Sequence, residues 1–176
     1  MVKKIVAGLI WAIVVLEALV FFTPKRELYF LAERYLEPLN IVINGEEASD
    51  FGWLFSLKGG SIVYDKMNAA KNENISFLTT IFYNRLSIAS FNLSNELAAA
   101  VPARVDFLEA RHTIFVPHKI FLSGEGEFGA FSGSIDLFSR KIILAINAPS
   151  QIQQKYGQIF ARLEKTPEGF VYAYDY

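Results

Sequence analysis

The chain contains no cysteine. That absence excludes a disulfide framework and every thiolate site, zinc–sulfur and iron–sulfur centres included. Histidine is nearly missing as well: His112 and His118 are the only 2, and with no third ligand nearby they fall short of the three or four that zinc needs. No metal and no cofactor is expected. An excess of one charge is also lacking, since 17 Lys and Arg oppose 18 Asp and Glu for a net charge of -1. The only basic pairs that stand out are Lys25-Arg26 and Arg140-Lys141, so binding to nucleic acid through a charged face is not expected. The sequence does not lack apolar residues: they make up 52% of the chain and Phe, Trp and Tyr 15%, well beyond the composition of a disordered tail.

One long apolar run, Ile5 to Phe22, is interrupted by a single charge, Glu17. Eighteen residues at about 1.5 Å each reach roughly 27 Å as a helix, close to the hydrocarbon thickness of a bilayer. The run is longer than the core of a cleavable signal peptide and ends FFTPKRE, without small residues at an A-x-A site. Residues 1–22 are therefore expected to be a cytoplasmic start and transmembrane anchor, and residues 23–176 one further domain. Lys3 and Lys4 before the span are matched by Lys25, Arg26 and Arg34 after it, so charge alone does not orient it. A short basic N-terminus commonly stays inside. The expectation is a single-pass protein of the bacterial inner membrane, N-terminus cytoplasmic and bulk periplasmic. Glu17 lies about 5 Å past the span's midpoint, where a carboxylate either meets a partner or sits protonated or snorkelling. Gly8 and Ala12 form a small-residue pair on nearly the opposite face, a second candidate for a partner-helix contact.

Thr23 can cap, Pro24 suits a first helical position, and a helix is predicted over residues 25–37, stopped by Pro38. Its stripe of Leu28, Leu31, Ala32, Tyr35 and Leu36 either lies on the membrane surface or packs on the following sheet, the commoner use of such a stripe. Strands are predicted over about 39–147, with a hairpin at Gly59-Gly60. Asn68 to Asn74 reads as a polar loop, 75–82 as strand or helix, and Asn95 to Pro102 as a connection. Four strands between Arg104 and Ile146, spaced about ten residues apart, make an antiparallel meander the simplest topology. A helix over 150–164 and a terminal strand over 170–176 complete the chain.

Catalytic motifs do not survive inspection. Gly124 to Gly129 fits G-x-G-x-x-G, but a strand-like segment follows instead of a helix N-terminus that could hold a pyrophosphate, so a bulged hairpin is the better reading. There is no G-x-S-x-G elbow. Glu109, Glu125 and Glu127 lie near strands, and the pair Glu125 and Glu127 reads as a solvated edge. No enzyme is expected.

The order of parts carries a resemblance. A basic start and one span are followed by FTPKRELYFLAERYL, LKGGSIVY, YNRLSI and GEFGAFSGSIDLFSR, then NAPS. This series resembles the inner-membrane N component of type II secretion, which is similar in turn to the AsmA-like proteins, whose sheets form an apolar groove tied to lipid transport. The predicted elements make an α+β fold, in which the transmembrane helix leads into one mainly antiparallel, curved sheet packed by the two amphipathic helices; the resemblance transfers no catalytic residue. It implies a non-enzymatic envelope-machine component that works with other inner-membrane or periplasmic proteins. The alternative is a lipid-handling module, AsmA-like or like the single-span β-protein of lipopolysaccharide export.

Overall fold

A computed structural model describes residues 2–65, 67–94, 102–167 and 169–176. Helix α1 (Val2–Phe22) is long and apolar enough to cross a membrane. Helix α2 (Lys25–Leu36) follows and ends in a 3-10 turn, Glu37–Leu39, where Pro38 prevents its continuation. Ten strands come next: β1 (Ile41–Asn44), β2 (Glu47–Phe51), β3 (Leu54–Lys58), β4 (Ser61–Tyr64), β5 (Met67–Thr79), β6 (Tyr83–Leu93), β7 (Arg104–Thr113), β8 (Lys119–Gly126), β9 (Gly129–Asp136) and β10 (Lys141–Asn147). Short helices α3 (Ser150–Lys155) and α4 (Gly157–Phe160) precede β11 (Glu164–Thr166) and β12 (Gly169–Asp175). The 12 strands form one curved antiparallel sheet.

The sheet is a meander, and its register shows why. Ile41 lies opposite Tyr64 and Asn44 opposite Ser61, while Glu47 lies opposite Lys58 and Phe51 opposite Leu54. These pairs continue one register, so β1–β2 and β3–β4 are the two arms of a single long hairpin that turns at Gly52-Trp53. The hairpin predicted at Gly59-Gly60 is therefore corrected. Both arms beside it pair with β5, the Gly59 N–H donating to the Glu73 carbonyl at 2.8 Å and the Asn72 N–H to the Gly60 carbonyl at 3.1 Å. The two glycines kink a strand that runs straight on.

Asn68 to Asn74 is likewise strand and not loop, because β5 takes up partners on both sides, β3–β4 and β6. Its asparagines imitate a loop by composition, yet Asn72 is buried within the sheet. Residues 75–79 resolve as the end of that strand. The connection expected between Asn95 and Pro102 lies outside the described residues up to position 101.

The helix predicted over 150–164 is interrupted. Tyr156 leaves helical geometry (φ -113°, ψ 34°) between α3 and α4, and residues 164–166 are the edge strand β11. Tyr156 does so with its side chain buried among Ala148, Phe160 and Phe170, joined by Ile146, Ile152 and Leu163. The predicted apolar face thus gathers, but around a break and not along one helix. Phe160 meets Phe170 with ring centroids 4.8 Å apart.

This cluster is pinned from below by Glu127. Its carboxylate accepts from the Ala103 N–H at 2.8 Å and from Lys155 Nζ at 3.0 Å. The Ala103 N–H first, then the Lys155 bond, holds the Glu127 carboxyl below its ordinary value. A depressed carboxyl stabilises the fold above its unfolded pKa and loses that contribution as pH falls through the lower folded one. Glu127→Gln is expected to cost about 1 kcal/mol in urea denaturation of the detergent-solubilised chain at neutral pH, and the gap from wild type should close on acidification below pH 4.5.

Candidate functional site: an open apolar face on the sheet

Alternation along each strand and register between strands assign every side chain to one of two faces. On one face Leu57, Ile75, Ile88, Leu108, Gly124, Phe131, Ile146 and Phe170 lie opposite one another in turn across the sheet. Two residues along, Phe55, Phe77, Leu86, Ala110, Leu122, Gly133, Leu144 and Tyr172 repeat the pattern. The other face carries a row of serines at 49, 56, 76, 87, 123 and 132, broken only by Glu109 on β7. Glu109 pairs with Arg111 at 3.0 Å on that face, where Phe107, Phe121 and Ile143 also stand exposed. The sheet is amphipathic, with its continuous apolar rows on one side.

Both ends of the apolar face are roofed. At the first, α2 lies across β1 and β2 and brings Tyr29 to Phe55, ring centroids 5.7 Å apart. At the last, α3 and α4 cover Phe170 and Ile146. Between them, among the described residues, no helix makes an extensive contact with β5 to β9. On β10 the apolar-face residues Ile142, Leu144 and Ile146 are nevertheless half-buried, whereas Ile143, Ala145 and Asn147 are exposed. Ile146 owes this to the cover of α3 and α4, and for the rest the difference fits a curved sheet whose apolar side is the inner one. The result is a trough, about 24 Å wide from β5 to β10 at the usual strand spacing.

Helix α2 meets the sheet through an unexpected side. Of the predicted apolar stripe, Leu28, Leu31, Ala32 and Tyr35 are exposed, Tyr35 at 74%, and Leu36 alone turns inward. Tyr29, Glu33 and Leu36 are turned inward instead. The Tyr29 hydroxyl donates to Glu46 at 3.0 Å, and burial followed by that bond raises its pKa. Burial, then the Glu46 and Glu37 charges, also pushes the Glu33 carboxyl up. Thr23 does not cap this helix: its hydroxyl donates back to Leu19, and Asp50 of β2 accepts from the Lys25 and Arg26 N–H groups at 2.9 and 3.4 Å. Buried Lys25 donates to the carbonyls of Val20 and Thr23 at the C-terminus of α1, where a cation is favoured. The junction between the two helices is thus built onto the sheet.

Glu17 finds its partners in its own chain. Its carboxylate accepts from Trp53 Nε1 and from the Ile81 N–H, each at 3.2 Å. Phe21 packs edge-on against Trp53 at 4.7 Å, over Gly52, where a side chain would collide with its ring. Gly8 and Ala12 are exposed on the helix, and a Cβ at Gly8 would meet nothing within 4 Å. The remaining candidates have structural partners. His112 bonds the Pro117 carbonyl and His118 stacks on Phe138, and no metal-holding group of three occurs among the described residues. Glu125 and Glu127 do not form a sheet edge: Glu125 is exposed on β8, an interior strand, and Glu127 lies in the β8–β9 turn, bonded to Ala103 and Lys155. The glycine-rich segment is the β8–β9 hairpin, whose own register is unbroken; the bulge lies opposite it on β7, between Val105 and Phe107.

Comparison with protein-family models, with curated proteins and with solved structures gave no match.

Proposed function

We propose that this chain is a membrane-anchored, non-enzymatic lipid-handling module, with α1 spanning the bacterial inner membrane and the sheet on its periplasmic side. The observation that carries this reading is the unroofed apolar trough over β5 to β9. Apolar rows of this extent are costly in water, at about 25 cal/mol per Å², and an acyl chain laid on them removes that cost without any specific polar contact. Lipid mass spectrometry of the detergent-purified chain tests it. Stoichiometric phospholipid or lipopolysaccharide that survives exchange into lipid-free detergent is the expected result, and a lipid-free protein would end the proposal.

A second reading keeps the resemblance to the N component of type II secretion. It is favoured by the two sheet edges, β1–β2 and β11, each of which has a side unpaired among the described residues and so can receive a strand from another envelope protein. Recovery of a stoichiometric protein partner together with lipid-free chain would select it.

A further inference from the structure

One end of the sheet is a row of turns, and each presents an exposed aromatic: Trp53, Phe82, Phe115 and Phe138, the last two 83% exposed. Neighbouring segments at this end are joined by backbone hydrogen bonds. Thr79 donates to Trp53, Ile114 to Phe82, Leu137 to His118 and Tyr176 to Arg140, at 2.8 to 3.1 Å. The turns therefore form a continuous rim. Arg85, Arg111, Lys119, Arg140 and Lys141 stand within four residues of a rim aromatic, Arg85 and Arg111 being paired with Glu109 at 4.0 and 3.0 Å. The two acids as close, Asp50 and Asp136, are engaged by backbone N–H groups, those of Lys25 and Arg26 and those of Phe138 and Ser139.

The anchor fixes how deep the first turns of this rim lie. Glu17 is five residues before the end of α1, about 7.5 Å back along its axis. Since its carboxylate holds Trp53 and Ile81, those two residues sit at the level of Glu17 wherever α1 crosses the bilayer. Trp53 and Phe82, next to Ile81, at that level, a rim that continues from them through Phe115 and Phe138, and cations close to it in sequence match the pattern of an interface-seated surface.

We infer that the rim is inserted into the headgroup–acyl boundary of the same bilayer that α1 spans, so that the trough opens directly onto lipid. This rests on α1 being a span and is independent of whether the trough retains lipid. A bilayer, and not a protein, is the occupant, because the rim is tied to the anchor itself.

The chain has 2 tryptophans, Trp11 and Trp53, so Trp11→Phe leaves a reporter at the first turn. Adding Trp53→Phe and Phe138→Trp moves the reporter to the far end of the rim. Both full-length proteins would be reconstituted in phosphatidylcholine vesicles, with and without phosphatidylcholine spin-labelled near the headgroup end of its acyl chain. The expected result is loss of emission with the spin-labelled lipid and protection from aqueous iodide at both positions. Iodide quenching without lipid quenching at position 138 would overturn the inference. Phe115→Trp replaces Phe138→Trp if circular dichroism shows the latter misfolded. Lipid retention in detergent is a separate readout, so a lipid-free protein with an inserted rim would refute the proposed function alone.

Discussion

Leu122→Asp is expected to strip lipid from the detergent-purified chain while leaving the sheet folded. Leu122 lies on the apolar face between Ala110 and Gly133, small neighbours that gain little from packing against it. Its main loss is therefore to an occupant. Removing a leucine contact from an acyl chain forfeits about 1.5 to 3 kcal/mol, and desolvating the new carboxylate adds to the loss. The sum is about 3 kcal/mol or more, roughly a hundredfold in occupancy. Ser132→Asp is the control, placed on the serine face of the neighbouring strand and exposed. It should leave lipid recovery unchanged. Equal loss of lipid from both variants, or from neither, would show that the trough is not where lipid sits.

Gly129→Val is expected to have the largest effect on stability. Gly129 opens β9 with φ at +95°, a conformation that costs a β-branched residue about 1 to 3 kcal/mol. A Cβ there would also collide with the Asn147 carbonyl and stand 3.0 Å from the Ala148 Cα. Forcing extra atoms into such a seam adds about 1 to 3 kcal/mol. A loss of about 3 to 5 kcal/mol should appear as a lower midpoint in urea denaturation. Because Ala148 belongs to the cluster around Tyr156, the aromatic signal of that cluster should be lost in the same transition. Wild-type stability would mean that β9 and β10 do not meet in this register.

Much of the sheet was legible because glycine and proline punctuate it. Pro117, Gly124 to Gly129 and Arg140 separate β7 to β10, and alternation between them gave strands and a meander. The first hairpin was misread because Gly59-Gly60 carries the chemistry of a turn, while pairing with β5, read only from the fold, keeps the chain extended there. Composition failed for 68–74 in the same way. A helix long and apolar enough to span a membrane was legible from length and hydropathy, but the partners of Glu17 lie 36 and 64 residues away, a distance no local pattern spans. The exposed stripe of α2 was seen and its direction was not, since the bond of Tyr29 to Glu46 depends on where β2 begins. The serine row is invisible in the sequence. It emerges only when the register aligns one residue from each strand.

Consecutive pairing has a consequence for how such a sheet holds together and how it could change. Among the described residues each strand pairs with the strands beside it, so the sheet behaves as a one-dimensional stack with nearest-neighbour coupling, closer to a repeat array than to a globule with a centre. Most of its pairings are also close in sequence, which favours rapid formation from any point along the chain. Such a ladder has no fixed number of rungs. A strand added at β11 or beyond β1–β2 would lengthen the apolar surface by about 4.8 Å without disturbing a residue in the middle.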